Sequence, residues 1–422
     1  MEKIKIESIN AREIISGRGI PTVEVEIITN NGIKGIASSP SGASTSSYEA
    51  VEIRDGNKRF MGKGVLKAVR NIEELIAPEI IGKNIIDQYE IDQILIQLDG
   101  TKNKSKIGGN ATTAVSAAIS KAAAEALKIP LYKYLGGINS CNLPILCPNV
   151  LSGSKYAGNN LDFEDYLIVP FGFYKMKDAI RASIEVFYTL FEILKNKFGK
   201  FQFITAPAPH FKTTKEALDV IQIAIKQAGY EGKFGLGIDV AATLVYCKEE
   251  DIYNFKMGKM TKEDLLLFYK QMSKNYPIFF IEDAFNENDF EGFAELTKEV
   301  NCFVVGDDIF ATNLERLIKG IKYCAGNAVL LKVNQAGTIS ETLRFAETAK
   351  NHNYTIISSP RSGETNDSFQ ADLAVAVGAK FMKIGAPMRG EQIEKYNRFL
   401  KIEDELADAS IYWGKEFFNN KF

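Results

Sequence analysis

Six short apolar runs decide the fold: Phe234-Gly-Leu-Gly-Ile-Asp239, Ile278-Phe-Phe-Ile-Glu282, Phe303-Val-Val-Gly-Asp307, Val329-Leu-Leu-Lys332, Thr355-Ile-Ile-Ser-Ser359 and Phe381-Met-Lys383. Each ends on a polar or charged side chain. The steps from Glu282 to Asp307 and from Asp307 to Lys332 are 25 residues, that from Lys332 to Ser358 is 26, and that from Ser358 to Lys383 is 25. Between the runs, Asp289–Val300, Asn313–Ala325, Thr338–Asn351 and Asp367–Val377 carry apolar residues at helical spacing. A strand and a helix repeated at that interval make a parallel (β/α)8 barrel. Parallel strands covered on both faces read as continuous apolar runs, as these do. The competing architecture is a doubly wound open sheet. It usually carries a glycine-rich phosphate loop after an early strand, and neither G-x-G-x-x-G nor G-x-x-x-x-G-K-S/T occurs here in a strand-to-helix context.

Upstream of these runs the pattern changes. Thr22-Val-Glu-Val-Glu-Ile-Ile28 alternates apolar and polar side chains, Asn30-Asn31-Gly32 is a hairpin turn, and Ile33-Lys-Gly-Ile-Ala37 is the return strand. A small-residue loop, Ser39 to Ser47, follows. Gly64–Leu98 has helical spacing, and Asn110–Leu127 is alanine-rich and helical. Breaks at Ile129-Pro130 and Leu135-Gly136-Gly137 mark a boundary. The expected organisation is an α/β chain, with an N-terminal α+β domain over residues 1–135 and the barrel over residues 136–422.

The 422 residues carry 51 basic and 53 acidic side chains, a net charge of −2, which points to neither nucleic acid nor an anionic membrane as partner. No apolar run is long enough to span a bilayer, and Met1-Glu-Lys-Ile-Lys5 lacks the apolar core of a signal peptide, so a cytoplasmic location is expected. Two histidines, His210 and His352, exclude a histidine-rich metal centre. Five cysteines without a C-x-x-C pair read as reduced thiols.

Active sites of such barrels lie at the C-terminal strand ends. There the sequence puts three carboxylates, Asp239, Glu282 and Asp307, beside two lysines, Lys332 and Lys383. One polar residue ending a strand is ordinary; five in register are not. Oxygen donors without His or Cys suit a hard cation, Mg²⁺ before Zn²⁺. Burial, a second lysine and a nearby cation each lower a lysine pKa, which prepares a base for a proton α to a carboxylate.

With these residues in view the chain resembles the enolase family over nearly its whole length. The motifs are Arg18-Gly19 with Pro21-Thr-Val-Glu-Val-Glu26, Ser41-Gly-Ala-Ser-Thr45, Leu98-Asp-Gly-Thr101, Ile281-Glu-Asp283, Val305-Gly-Asp-Asp308, Leu331-Lys-Val-Asn-Gln335, Arg361-Ser-Gly-Glu-Thr365, Lys383-Ile-Gly-Ala-Pro387 and Lys395-Tyr-Asn397. The resemblance implies an N-terminal α+β domain before a barrel of slightly irregular topology. It implies a first Mg²⁺ on Asp239, Glu282 and Asp307, and a mobile loop whose Ser44 helps hold a second. Lys332 is then the base for the C2 proton of 2-phosphoglycerate, Lys383 contacts the substrate carboxylate, and Arg361 with Ser362 holds the phosphate. The implied partners are a small phosphorylated carboxylate and a second copy of the chain in a homodimer, paired near Val23–Ile28 and Arg12–Glu13.

Other positions leave the family pattern. The Gly-Asp-Glu-Gly-Gly-Phe-Ala-Pro stretch falls on Gln202-Phe-Ile-Thr-Ala-Pro-Ala-Pro209, with Ile204 where the family has its acid. Tyr156 and Pro360 stand where the family has histidines, and Glu164-Asp165 replaces a Gln-Glu pair. Three functions stay open: proton abstraction by an enolase-like lyase with altered leaving-group chemistry, authentic 2-phosphoglycerate dehydration with a substituted acid such as Glu164 or Asp165, and a non-catalytic binding or scaffold protein. His210, just past the altered stretch, is a further candidate acid.

Overall fold

The computed structural model describes residues 4–43 and 45–414; Ser44 and the side chains of Lys155 and Tyr156 lie outside the described residues. The chain opens with an antiparallel sheet of β1 (Ile6–Ile15), β2 (Pro21–Thr29) and β3 (Lys34–Ser38), in that order. Val23, Val25 and Ile27 point inward from β2, as the alternation requires. Gly32 closes the β2–β3 hairpin at φ +80°. The helical expectation over Gly64–Leu98 resolves into several pieces, with Leu66–Asn71 and Gln88–Asp99 separated by a π-helical turn, a short helix and a loop.

The alanine-rich segment forms the helix Gly109–Leu127, buried along most of its length against the sheet. Small side chains let it approach closely, and Gly35 is where it comes nearest. A Cβ on Gly35 would lie 2.3 Å from the Ala118 carbonyl oxygen and 2.5 Å from the Ala122 nitrogen. These are backbone atoms on a packed helix, so neither can step aside. Gly35→Ala is therefore expected to cost about 1–3 kcal/mol by overpacking, read as a lower midpoint in urea with an unchanged slope.

The barrel sheet has nine strand segments. They are β4 (Ile145–Cys147), β5 (Asn149–Ser152), β6 (Asp165–Val169), β7 (Gly235–Asp239), β8 (Ile278–Glu282), β9 (Phe303–Gly306), β10 (Ala328–Leu331), β11 (Thr355–Ser358) and β12 (Phe381–Lys383). β4 pairs with β12 on one side and β5 pairs with β6 on the other. Only Pro148 separates β4 from β5, because a proline cannot donate to the ladder. Counted as one broken strand, the pair closes the barrel at the expected number. β6 runs antiparallel to both β5 and β7, whereas β7 through β12 are parallel. This is the irregularity that the resemblance implies. The intervening helices include Phe290–Glu299, Leu314–Tyr323, Ile339–Asn351 and Phe369–Ala376, each inside its expected stretch. Among the described residues no helix is long and apolar enough to cross a membrane.

Candidate active site

Asp239 and Glu282 are the last residues of β7 and β8, Asp307 follows β9, Lys332 follows β10, and Lys383 ends β12. The strands are neighbours, so their side chains meet in one cup. Lys383 Nζ donates to Asp239 Oδ2 at 2.8 Å and to Glu282 Oε1 and Oε2 at 3.0 and 2.9 Å, with Asp165 Oδ2 at 3.8 Å. Lys332 Nζ donates to Asp307 Oδ2, whose other oxygen accepts from Gln335 Nε2 at 2.9 Å. Arg361, Ser362, Pro360, Glu164 and Asp165 line the same cavity.

Burial pushes the Glu282 carboxyl well up, reinforced by the Asp239 charge. Burial acts on Asp307 in the same sense, but Lys332 outweighs it and holds that carboxyl below its ordinary value. Both lysines depart from the expectation of a depressed pKa. Burial does lower them, yet Asp307 lifts Lys332, and Asp239 with Glu282 lifts Lys383 further. The carboxylates that qualify the cup for a cation are the ones that raise both lysines.

Among the described residues, the acidic group whose oxygens lie within 4.8 Å of one another is Asp283, Asp307 and Asp308, rather than the expected Asp239, Glu282 and Asp307. Asp283 has another task. At φ +46° it turns its two oxygens onto the backbone N–H groups of Asp307 (3.0 Å) and Asp308 (2.9 Å), which fixes the end of β9. Asp239 and Glu282 instead converge on the Lys383 ammonium, so a positive centre already stands between them. Oxygen donors, no thiol or imidazole, and a cation held between two of the carboxylates fit a hard divalent ion such as Mg²⁺.

Arg361 is buried and pairs with Glu49 of the N-terminal domain, Nη1 to Oε2 at 2.8 Å and Nη2 to Oε1 at 3.4 Å. Its backbone N–H donates to Glu364, which in turn holds the buried Lys395 at 2.8 Å. The loop bearing Glu49 is tied to the barrel at several of its described residues. Ser41 and Gly363 exchange backbone hydrogen bonds, Ser46 donates to Glu287 at 2.8 Å, and the Arg316 guanidinium sits 3.7 Å over the Tyr48 ring.

The positions that leave the family pattern behave differently from one another. Ile204 is 38% exposed and does not line the cup; its neighbour Thr205 does, 2.8 Å from the Ser152 hydroxyl. The tight hairpin pairing Gln202–Phe203 with Pro207–Ala208 sets that register. Pro360 is part of the wall. His210 and His352 are exposed and outside the cup, and His352 Nδ1 lies 2.9 Å from the Thr348 carbonyl oxygen. Burial, then the charges of Asp239 and Asp165, hold the Glu164 carboxyl far above its ordinary range; Asp165 is pushed up to about 6. Ser44 and the Tyr156 side chain, both expected here, fall outside the described residues. Glu49, Asn149, Thr205, Asp308 and Gln392 belong to the cup or its support and were not expected. Of these only Asp308, next to Asp307, carries a local signal.

Two family models together span nearly the whole chain: the enolase N-terminal domain matches residues 6–135, and the enolase C-terminal TIM barrel domain matches residues 140–421. The chain belongs to the enolase family. An enolase of Methanocaldococcus jannaschii is 49% identical over 420 residues, covering 99% of each chain. An enolase of Methanopyrus kandleri is 47% identical over 416 residues, covering 97% of each, and one of Methanothrix thermoacetophila is 45% identical over 417. Barrel enzymes carry their active sites at the C-terminal strand ends, which is where the cup of this enolase-family barrel lies.

Proposed function

We propose that the chain is a Mg²⁺-dependent hydro-lyase that converts 2-phosphoglycerate to phosphoenolpyruvate with a substituted acid. What carries the reading is the company of Lys332, Lys383, Arg361 and Ser362 in one buried cup of a chain related to enolases end to end. Arg361 and Ser362 take the phosphate. Lys383 faces the substrate carboxylate, and Lys332 removes the C2 proton; a cation on Asp307 would weaken the attraction that raises Lys332 and so would free it to act as a base. Asp239, Glu282 and Asp307 would hold Mg²⁺, which supplies positive charge to the carboxylate as the C–H bond breaks. The electron pair left at C2 then forms the C2–C3 double bond, the C3–O bond breaks, and the departing hydroxide takes a proton to leave as water.

That proton comes from Glu164. Burial, then the charges of Asp239 and Asp165, push its carboxyl well up, the direction that suits a glutamate to act as an acid. A second reading draws on Ile204 and Pro360: with no donor at either position, leaving-group departure lags behind deprotonation. A positioned acid contributes about 10²–10⁴-fold, so on that second reading the C2 proton exchanges with D₂O faster than phosphoenolpyruvate appears, by a margin within that range. Matched rates support Glu164 as a full replacement. Exchange without product supports the second reading, and neither exchange nor product overturns the enzymatic one.

We also infer a two-fold homodimer through the β1–β3 sheet, where Ile15 and Ile36 stand exposed at 55% and 42%. Light scattering at micromolar concentration is expected to give about twice the 46.8 kDa chain mass, and a monomer contradicts it.

A further inference from the structure

Behind Asp307 a ring of hydrogen bonds closes through two residues that the dehydration gives no task. The Lys332 backbone N–H donates to the Thr312 hydroxyl at 3.1 Å, and that hydroxyl donates to Gln335 Oε1 at 2.7 Å. Gln335 Nε2 donates to Asp307 Oδ1 at 2.9 Å, and Asp307 Oδ2 accepts from the Lys332 ammonium. The ring therefore begins and ends on Lys332. Its sense is fixed, because a backbone N–H can only donate. The Thr312 hydroxyl accepts there, its own proton goes to the Gln335 carbonyl oxygen, and the amide NH₂ is left facing the carboxylate. Thr312 and Gln335 are 2% and 4% exposed, so the ring is shielded from bulk water.

Thr312 reaches this place at a backbone cost. It stands at φ +45°, directly after Ala311 at φ +49°. The left-handed region is strained for both side chains, and a β-branched residue is an outlier there. The loop folds back on the end of β9, with the Ala311 N–H on the Asp307 carbonyl oxygen at 2.6 Å and the Asn313 N–H on that of Phe310 at 2.8 Å. Such conformations persist where the surroundings over-determine them, and they gather at functional sites. Gln335 is fixed through its main chain as well: its carbonyl oxygen accepts from the N–H of Ala50, in the N-terminal domain, at 2.8 Å. We propose that Thr312 and Gln335 are positioning residues, which hold the Asp307 carboxylate in the orientation that serves both Mg²⁺ and the Lys332 ammonium. Neither lines the cup, so they act through Asp307 rather than on a ligand. Asp307 as a Mg²⁺ ligand rests on the function proposed above; the ring itself does not.

Calorimetry of Mg²⁺ binding without substrate tests this. Gln335→Met keeps the length of the side chain and removes the amide. Affinity is expected to fall about 10- to 100-fold, the usual worth of a group bonded to a metal ligand. Thr312→Val keeps the branched shape and removes the hydroxyl; it is expected to weaken binding about 2- to 10-fold, the worth of one neutral hydrogen bond. Thr312→Ser keeps the hydroxyl and is expected to bind as the unmodified protein does. The double variant Thr312→Val, Gln335→Met is expected to bind no more weakly than Gln335→Met alone, because Thr312 acts through Gln335, whereas two independent losses add. Circular dichroism confirms the fold, and if Gln335→Met does not fold, the two Thr312 variants decide. Unchanged affinity in Gln335→Met or Thr312→Val, equal loss in Thr312→Ser and Thr312→Val, or additive losses in the double variant overturn the positioning role and leave the dehydration standing. The expected losses, with no phosphoenolpyruvate formed by the unmodified protein, keep the role and reject the dehydration. No Mg²⁺ binding by the unmodified protein overturns both.

Discussion

Lys332→Ala is expected to abolish exchange of the C2 proton of 2-phosphoglycerate, a loss of about 10²–10⁴-fold measured by NMR in D₂O with Mg²⁺. The residue follows β10 with its ammonium on Asp307, and each of the two side chains is 11% exposed. Lys332→Arg separates charge from basicity. It restores a cation beside Asp307, but a guanidinium does not give up its proton in a protein. Exchange is therefore expected to stay lost in Lys332→Arg while thermal stability returns toward that of the unmodified chain. Recovery of exchange in the arginine variant would remove Lys332 from the role of base.

Asp307→Ala carries the second large effect. Asp307 is the carboxylate that balances Lys332, and its other oxygen accepts from Gln335. Its loss takes one oxygen ligand from the proposed Mg²⁺ site and strands a buried ammonium. Removing one partner of a buried ion pair costs about 3–5 kcal/mol. Calorimetry is expected to show no Mg²⁺ binding at concentrations that saturate the unmodified protein. Asp307→Asn keeps the shape and part of the hydrogen bonding, so it should unfold later than Asp307→Ala and still fail to bind the ion. Unchanged Mg²⁺ affinity in the asparagine variant would move the metal to Asp283 and Asp308.

Much of this architecture was legible in the apolar runs because the strands β7 to β12 are covered on both faces. Continuous hydrophobicity is then required, and the polar residue at each end marks where the chain leaves the core. The run ends also placed Asp239, Glu282, Asp307, Lys332 and Lys383 in one cup before any coordinates. What stayed hidden depended on partners far away along the chain. Glu49 sits in a loop of small and polar residues, and nothing local says that it will neutralise an arginine 312 residues later. The facing of Thr205 and Ile204 hangs on the register of a two-residue ladder, which composition does not set. The expected lowering of the lysines counted burial, a second lysine and a nearby cation, and the pull of the protein's own carboxylates acts against it. Only the distances to the carboxylates show that attraction prevails.

The Glu49–Arg361 pair has a consequence for how such chains can be recombined. Each half brings one buried charge to a seam where the other half holds its counterpart. A hybrid that joins this first half to a foreign barrel, or this barrel to a foreign first half, inherits a lone ion sealed from water unless the graft supplies the opposite charge at the same spot. The seam therefore acts as a compatibility lock between the halves, and exchanging both segments, Ser41–Ala50 and Pro360–Thr365, together is the way to open it.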